Sequence, residues 1–302
     1  NQSHQSVWIG HQAGYSITDS INSVMIGYKA GYSITTADES VLLGYSAGYS
    51  LRDGDRNVVI GNEAGYNLKD TYENTVVGYR ALYTMESLGG DGYDFGQSRS
   101  TAIGAYALHL SEDPGEVYAG NTAVGHSAGY RGGANIGFAG NVYVGQQAGY
   151  WHDAGYQGAG SRDNTLVGNT AGYNMSGSQQ YNVYVGSSAG YGKSLGSGNV
   201  AIGKSALSNT DWKGLSSVNG DYSGLTAVGY YAGRNVANGF GTFMGTNAGE
   251  RAAGSSNQFF GYYAGRGTTS AEPYSNGDNN VAIGREALEG FRSGSYNTAI
   301  GR

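Results

Sequence analysis

The chain has 302 residues with 55 Gly, 2 Pro and no Cys, a formal net charge of −6, and only 13% charged residues. So much Gly excludes a protein of long helices, since each interior Gly costs about 1 kcal/mol relative to Ala, and scarce Pro without a three-residue period excludes collagen. There is no basic patch for nucleic acid, no apolar run near the ~20 residues of a membrane span, and no thiol for a disulfide scaffold or thiolate metal site.

The first element is the apolar run before Gly10 in "SVWIGHQAGY", residues 6–15, and it returns as "SVMIGYKAGY" at 23–32. With the Gly after the apolar residue as anchor, the unit occurs sixteen times: Gly10, Gly27, Gly44, Gly61, Gly78, Gly104, Gly125, Gly145, Gly168, Gly186, Gly203, Gly229, Gly245, Gly261, Gly284 and Gly301. Spacings run from 16 to 26 residues, with 17 the commonest. Three residues after each of the first fifteen anchors stands Ala; the next position is Gly in eleven copies and Leu in four (Leu82, Leu108, Leu207, Leu288). The consensus is [NS]-[VT]-x-[IV]-G-x-x-A-G-Y, a fixed-period array of the kind that builds solenoids.

The β-branched run before each anchor predicts a short strand. Alternation puts the residues three and one before Gly on one face, expected to pack into the coil, and the residue between on the other. That middle position holds Trp8, Met25, Leu42, Val59, Val76, Ala102, Ala123, Tyr143, Leu166, Tyr184, Ala201, Ala227, Phe243, Phe259, Ala282 and Ala299, none of them charged. An apolar stripe of this length exceeds what a soluble monomer exposes, so these residues are assigned to a homotrimer interface. A second strand is expected after the turn, with Ala30, Tyr32 and Ile34, or Ala64, Tyr66 and Leu68, on one apolar face. The predicted fold is all-β: one β-solenoid or β-roll domain over residues 1–302, about sixteen coils of 16–26 residues, assembled as a parallel homotrimer. The Asn or Ser four before the anchor is expected to form a ladder or bond its own turn.

Extra length must leave the coil, at 83–100, 109–120, 130–140, 150–163, 208–224 and 266–279. These insertions carry Tyr93, Phe95, Trp151, Tyr156, Trp212, Tyr222 and Tyr274, aromatic residues the repeat does not demand and therefore candidate receptor-binding positions. "DGDR" at 53–56 and "GGDGYD" at 89–94 hint at Ca²⁺ without completing a calcium-loop pattern. "GYGKS" at 190–194 lacks P-loop spacing, and the five His residues are scattered, so no cofactor is expected.

"GHSAG" at 125–129 has the G-x-S-x-G form of a nucleophile elbow. The same register, however, gives "GYSAG" at 44–48 and "GSSAG" at 186–190, while elsewhere the Ser slot holds Gln12, Lys29, Glu63, Arg80, Tyr106 or Thr170. A freely varied slot is not a nucleophile, and the expectation is a non-enzyme.

"NVAIGKSAL", "NTAVGHSAG" and "NNVAIGREAL" resemble the S-V-A-I-G-x-x-A repeats in the heads of YadA-like trimeric adhesins. "IGYKAGYSIT" is similar to repeats of phage tail-fibre proteins. The resemblance implies a homotrimeric extracellular fibre, part of a longer protein on a virion or a bacterial surface, which attaches to a cell-surface glycan or protein. Neither nucleic acid nor insertion of this segment in a membrane is expected. The alternatives are a purely structural stalk and an ice-binding or glycan-cleaving solenoid; ice binding would want Thr in parallel columns, whereas Thr here shares a slot with Val and is expected to point inward.

Overall fold

Each of the first fifteen repeats opens with one very short strand followed by a train of tight turns. A computed structural model describes residues 2–85, 99–111, 120–132, 139–153, 161–176, 179–192, 196–209, 223–236, 239–268 and 275–302. These form a parallel β-solenoid with no helix among the described residues, divided into two compact units, Asn1–Asp163 and Asn164–Arg302.

In the first unit the strands before the anchors are Val7–Ile9, Val24–Ile26, Val41–Leu43, Val58–Ile60, Thr75–Val77, Thr101–Ile103, Thr122–Val124 and Val142–Val144. In the second they are Thr165–Val167, Val183–Val185, Val200–Ile202, Leu225–Val228, Gly241–Met244, Gln258–Phe260, Val281–Ile283 and Thr298–Ile300. Neighbours within a unit pair in parallel and in register, so that Val24, Met25 and Ile26 lie against Val41, Leu42 and Leu43. All sixteen predicted strands are present.

Their facing is the reverse of that expected. Met25, Leu42, Val59, Val76, Ala102, Ala123, Tyr143, Leu166, Tyr184, Ala201, Ala227, Phe243, Phe259 and Ala282 are all buried inside their own solenoid. Trp8 in the first strand is 40% exposed and Ala299 in the last is half-buried. The residues assigned to an inter-chain contact are thus the coil interior. The physical reason is the size of the coil: a three-residue strand sends one side chain one way and two the other, and an interior this narrow accepts the one.

The second predicted strand is corrected too. Ala30, Tyr32 and Ile34 belong to a train of turns in which the Ala30 N–H donates to the Gly27 carbonyl (3.5 Å) and the Ile34 N–H to that of Gly31 (3.2 Å). Lys29 (φ 53°) and Gly31 (φ 61°) are left-handed, and alternating left-handed residues cannot form an extended strand. Ala30 and Ile34 enter the core, as do Ala64 and Leu68 of a later coil, whereas Tyr32 and Tyr66 stand half-exposed outside. Coil-to-coil bonding is kept, with the Lys29 N–H donating to the His11 carbonyl at 2.9 Å and the Gly31 N–H to that of Ala47 at 2.9 Å. Short second ladders do occur, as in the parallel run Thr84–Met85, Leu110–Ser111, Arg131–Gly132 and Trp151–Asp153 of the first unit.

The anchor Gly is required by close approach. A Cβ on Gly27 (φ 139°) would lie 2.2 Å from the Gly44 carbonyl oxygen, and one on Gly61 would lie 2.4 Å from that of Gly78. The Asn four before the anchor forms the expected ladder. In the first unit the side-chain amide and backbone N–H of Asn74 both donate to Asn57 Oδ1 at 3.1 Å; in the second Asn182 does the same to Asn164, at 3.0 and 3.1 Å. Each such buried bond contributes about 1 kcal/mol net and fixes register. Leu225 and Gly241 replace Asn in the two copies whose strands lengthen to four residues.

The interior is filled by compensation between the middle strand position and the position after Ala. Large middle residues (Leu42, Leu166, Tyr184, Phe243, Phe259) share a coil with Gly, and Ala102, Ala201 and Ala282 share theirs with Leu108, Leu207 and Leu288. Two coils carry both Ala and Gly, and neighbours fill them: Gly129 lies under Leu108 and Tyr143, and Gly233 under Leu207 and Phe243.

Candidate interaction surfaces

The residues flanking each middle position look outward, side by side. In the first unit Val24 and Ile26, Val41 and Leu43, and Val58 and Ile60 are half-buried, with Ile103 and Val124 more open. In the second unit Val183, Val185, Val200 and Val281 are half-buried, while Ile202, Met244 and Ile283 are exposed. Register stacks like on like at ~4.8 Å per coil, giving each unit two columns, one of Val and Thr (with Gln258), the other of Ile, Val, Leu, Met and Phe. Neither column contains a charge. The Thr residues expected inside the coil, such as Thr75 and Thr122, therefore lie on this outer face.

A second surface rises from the position five after the anchor. In the first unit Tyr15, Tyr32, Tyr49, Tyr66 and Tyr83 stack with ring centroids 5.1, 5.0, 4.8 and 5.3 Å apart. His109 continues the column between Tyr83 (5.3 Å) and Tyr130 (5.1 Å), and Tyr150 follows Tyr130 at 4.8 Å. The slot one after the anchor adds a shorter stack, His11, Tyr28 and Tyr45, at 5.5 and 5.1 Å. The Lys29 ammonium sits 5.4, 5.2 and 5.7 Å from the rings of Tyr28, Tyr32 and Tyr49, a cation held over π faces. His109 Nδ1 bonds the Arg80 carbonyl at 3.0 Å, so that nitrogen carries the proton. Burial holds the imidazole below its ordinary pKa, the Arg80 carbonyl pulling the other way and the Arg80 charge adding to the depression.

In the second unit the same slot starts with stacked Tyr173 and Tyr191 (5.2 Å) and then turns polar, with Ser208, Arg234, Glu250, Arg266 and Glu289. Arg234 pairs with Glu250 and Arg266 with Glu289. Each guanidinium also lies over a Tyr ring, Arg234 over Tyr231 at 4.0 Å and Arg266 over Tyr263 at 3.7 Å. Buried Glu250 accepts a further bond from the Asn247 side chain at 2.6 Å.

Of the candidate receptor-binding residues the structure describes Trp151. It opens the strand Trp151–Asp153, is half-buried, and meets Tyr150 edge-on at 5.6 Å, which ties it to the end of the aromatic column. Tyr93, Phe95, Tyr156, Trp212, Tyr222 and Tyr274 lie outside the described residues, as does "GGDGYD". At "DGDR", Asp53 accepts from the hydroxyls of Thr35 (2.5 Å) and Thr36 (2.7 Å), and Asp55 from the Asp38 N–H (3.1 Å). Burial raises the Asp53 carboxyl pKa, but the Thr35 and Thr36 bonds together outweigh it and hold the group below the usual range. Among the described residues no group of three or more His, Asp or Glu is placed to hold a metal ion. No helix of the described residues is long and apolar enough to cross a membrane.

Ser127 of "GHSAG" has φ 54° and its Oγ lies 3.1 Å from His126 Nδ1. All fifteen residues two after an anchor share a positive φ, from Gln12 (57°) to Glu286 (60°). The left-handed Ser is therefore a property of the turn train rather than an elbow. A further left-handed position escaped the sequence reading: the residue five before the anchor has positive φ in all sixteen copies, from Gln5 (58°) to Tyr296 (63°). Gly occupies it only at Gly120, Gly140, Gly198 and Gly224, too few for a pattern.

No protein-family model matches the chain, and no curated protein matches it.

Proposed function

We propose that the chain is a segment of a non-enzymatic homotrimeric fibre, extracellular on a virion or a bacterial surface, that attaches to a cell-surface target such as a glycan. The observation that carries the reading is the outward aliphatic face. Val, Ile and Leu flank every buried middle residue from Val24 to Ile60, half-open to water and free of charge. Burying such surface is worth roughly 25 cal/mol per Å², and a continuous apolar strip invites a permanent partner. A partner that covers two columns repeating at every coil must repeat with the same period. Another copy of this chain does so, and three copies about one axis close the contact without leaving an open edge. The resemblance to trimeric adhesin heads and tail fibres supports the same assembly, with the Val and Ile positions, not the middle residues, at the axis.

Sedimentation equilibrium tests it. The expected species at micromolar concentration is three chains, and Val41→Glu with Val58→Glu is expected to give a single chain that keeps its β circular dichroism, because neither side chain lines the coil. A folded single chain for the unsubstituted protein overturns the assembly. For attachment, binding to a glycan array that disappears in Trp151→Ala or Trp212→Ala is the expected result; silence on the array and on whole cells leaves the stalk.

A further inference from the structure

We infer that the tyrosine column of the first unit is an oxidative cross-linking site, where a one-electron oxidant of the peroxidase and hydrogen peroxide class joins rings of successive coils by a carbon–carbon bond. The geometry is that of a preassembled pair at each step. Tyr15 and Tyr32, Tyr32 and Tyr49, and Tyr49 and Tyr66 stack at 5.1, 5.0 and 4.8 Å with planes within 3°, 3° and 4° of parallel. Tyr15 is 64% exposed, and Tyr32, Tyr49 and Tyr66 are half-exposed, which gives an oxidant access to the ring edges.

The chemistry closes without a further reactant. Each phenol gives one electron to the oxidant and one proton to water, leaving a phenoxyl radical whose unpaired spin is shared with the ring carbons ortho to oxygen. Two adjacent radicals pair those electrons in a new ortho carbon–carbon bond. The hydrogens on the joined carbons then return to the two oxygens and restore both phenols. One pair loses two electrons and two protons in all, and one hydrogen peroxide becomes two waters.

Two features favour stacked rings such as these over isolated ones. Radical coupling competes with escape, and here the backbone prevents escape: the Ser33 N–H holds the Tyr49 carbonyl at 3.1 Å and the Ser50 N–H holds that of Tyr66 at 2.9 Å. A radical born on one ring also has a like ring beside it on the next coil, so a second oxidation anywhere in the run finds a partner. Tyr181 and Tyr296, by contrast, are highly exposed and have no ring stacked on them among the described residues; oxidation there favours links between molecules. Each link in the column would staple coils across a short chain loop, as a disulfide does.

The test treats the folded full chain with peroxidase and limiting hydrogen peroxide, followed by digestion and mass spectrometry. Expected are peptides carrying Tyr32 with Tyr49 and Tyr49 with Tyr66, joined with loss of two hydrogens, and dityrosine fluorescence in chains that still migrate as one chain on a denaturing gel. Tyr49→Phe keeps a ring in the stack but has no phenol to oxidise. It is expected to remove both links while leaving Tyr15 with Tyr32 intact. Heat-unfolded chain is expected to lose the preference for these pairs. Links absent from the column, or spread equally over Tyr181 and Tyr296, overturn the proposal, as does equal yield from folded and unfolded chain.

Discussion

One missing methyl group lets successive coils stack. With the Gly44 carbonyl 2.2 Å from the place a Cβ would occupy on Gly27, Ala there must separate the strands, and its φ of 139° is closed to it as well. Gly27→Ala is expected to cost roughly 2–4 kcal/mol in chemical denaturation. The left-handed residue before each strand gives the opposite sign. Tyr181 (φ 60°) is exposed with no ring stacked on it among the described residues, so Tyr181→Gly is expected to raise stability by about 0.5–1 kcal/mol, as the relief of strain exceeds the entropy Gly adds to the unfolded chain. His109 makes the aromatic column pH-sensitive. Its folded pKa lies below the ordinary 6.5 under burial, among Tyr83, Tyr106, Tyr130 and the Arg80 charge, so the unfolded chain takes up the proton first. Its stability contribution is complete above pH 6.5 and is lost as pH falls from there through the folded value. His109→Tyr is expected to keep the stack and flatten that limb of the stability-against-pH curve, measured beside the parent protein.

The single coil is where local preference and packing meet. Leu207 is held left-handed (φ 50°) because its side chain fills the space that Ala201 leaves. Leu207→Gly is expected to relax the backbone yet lose about 2–4 kcal/mol to the cavity. Ala201→Leu in the same chain is expected to recover most of it, a coupling that a double-mutant cycle reads directly. The strand was legible because Val, Ile and Thr recur before a Gly that never varies, and the Asn ladder because one polar residue keeps its place. The facing was not legible, since "NVAIG" is apolar at all three strand positions and period-two reasoning then has no polar mark to orient it. The turn train was mistaken for a strand because Ala30, Tyr32 and Ile34 alternate as a strand would; what distinguishes them, the left-handed Lys29, is a residue type without turn preference. The sequence singled out Trp151 as an aromatic residue of an insertion but not the ordered rings beside it, which follow from stacking like positions rather than from any one residue.

At the scale of the molecule both units carry an aliphatic face and differ on the flank, aromatic in the first and, from Arg234 onward, of alternating charge in the second. The face is where substitution changes assembly without touching the core, and Val41→Glu with Val58→Glu is expected to separate copies while leaving the melting transition of each cooperative. The charged flank contributes less than its ion pairs suggest, because exposed pairs are worth about 0–1 kcal/mol; Arg234 with Glu250, whose carboxylate is buried, is the exception to probe. Gly27 meets Gly44 as Gly44 meets Gly61, with the next carbonyl oxygen 2.2 and 2.3 Å from where a Cβ would stand. Cutting out residues 44–60 would therefore hand each side of the splice a surface it already knows how to grip. Length is in this way decoupled from folding: genes of this kind can be trimmed or extended by unequal exchange between their own copies, and the only scar is a change in which side chain sits above which along the flank.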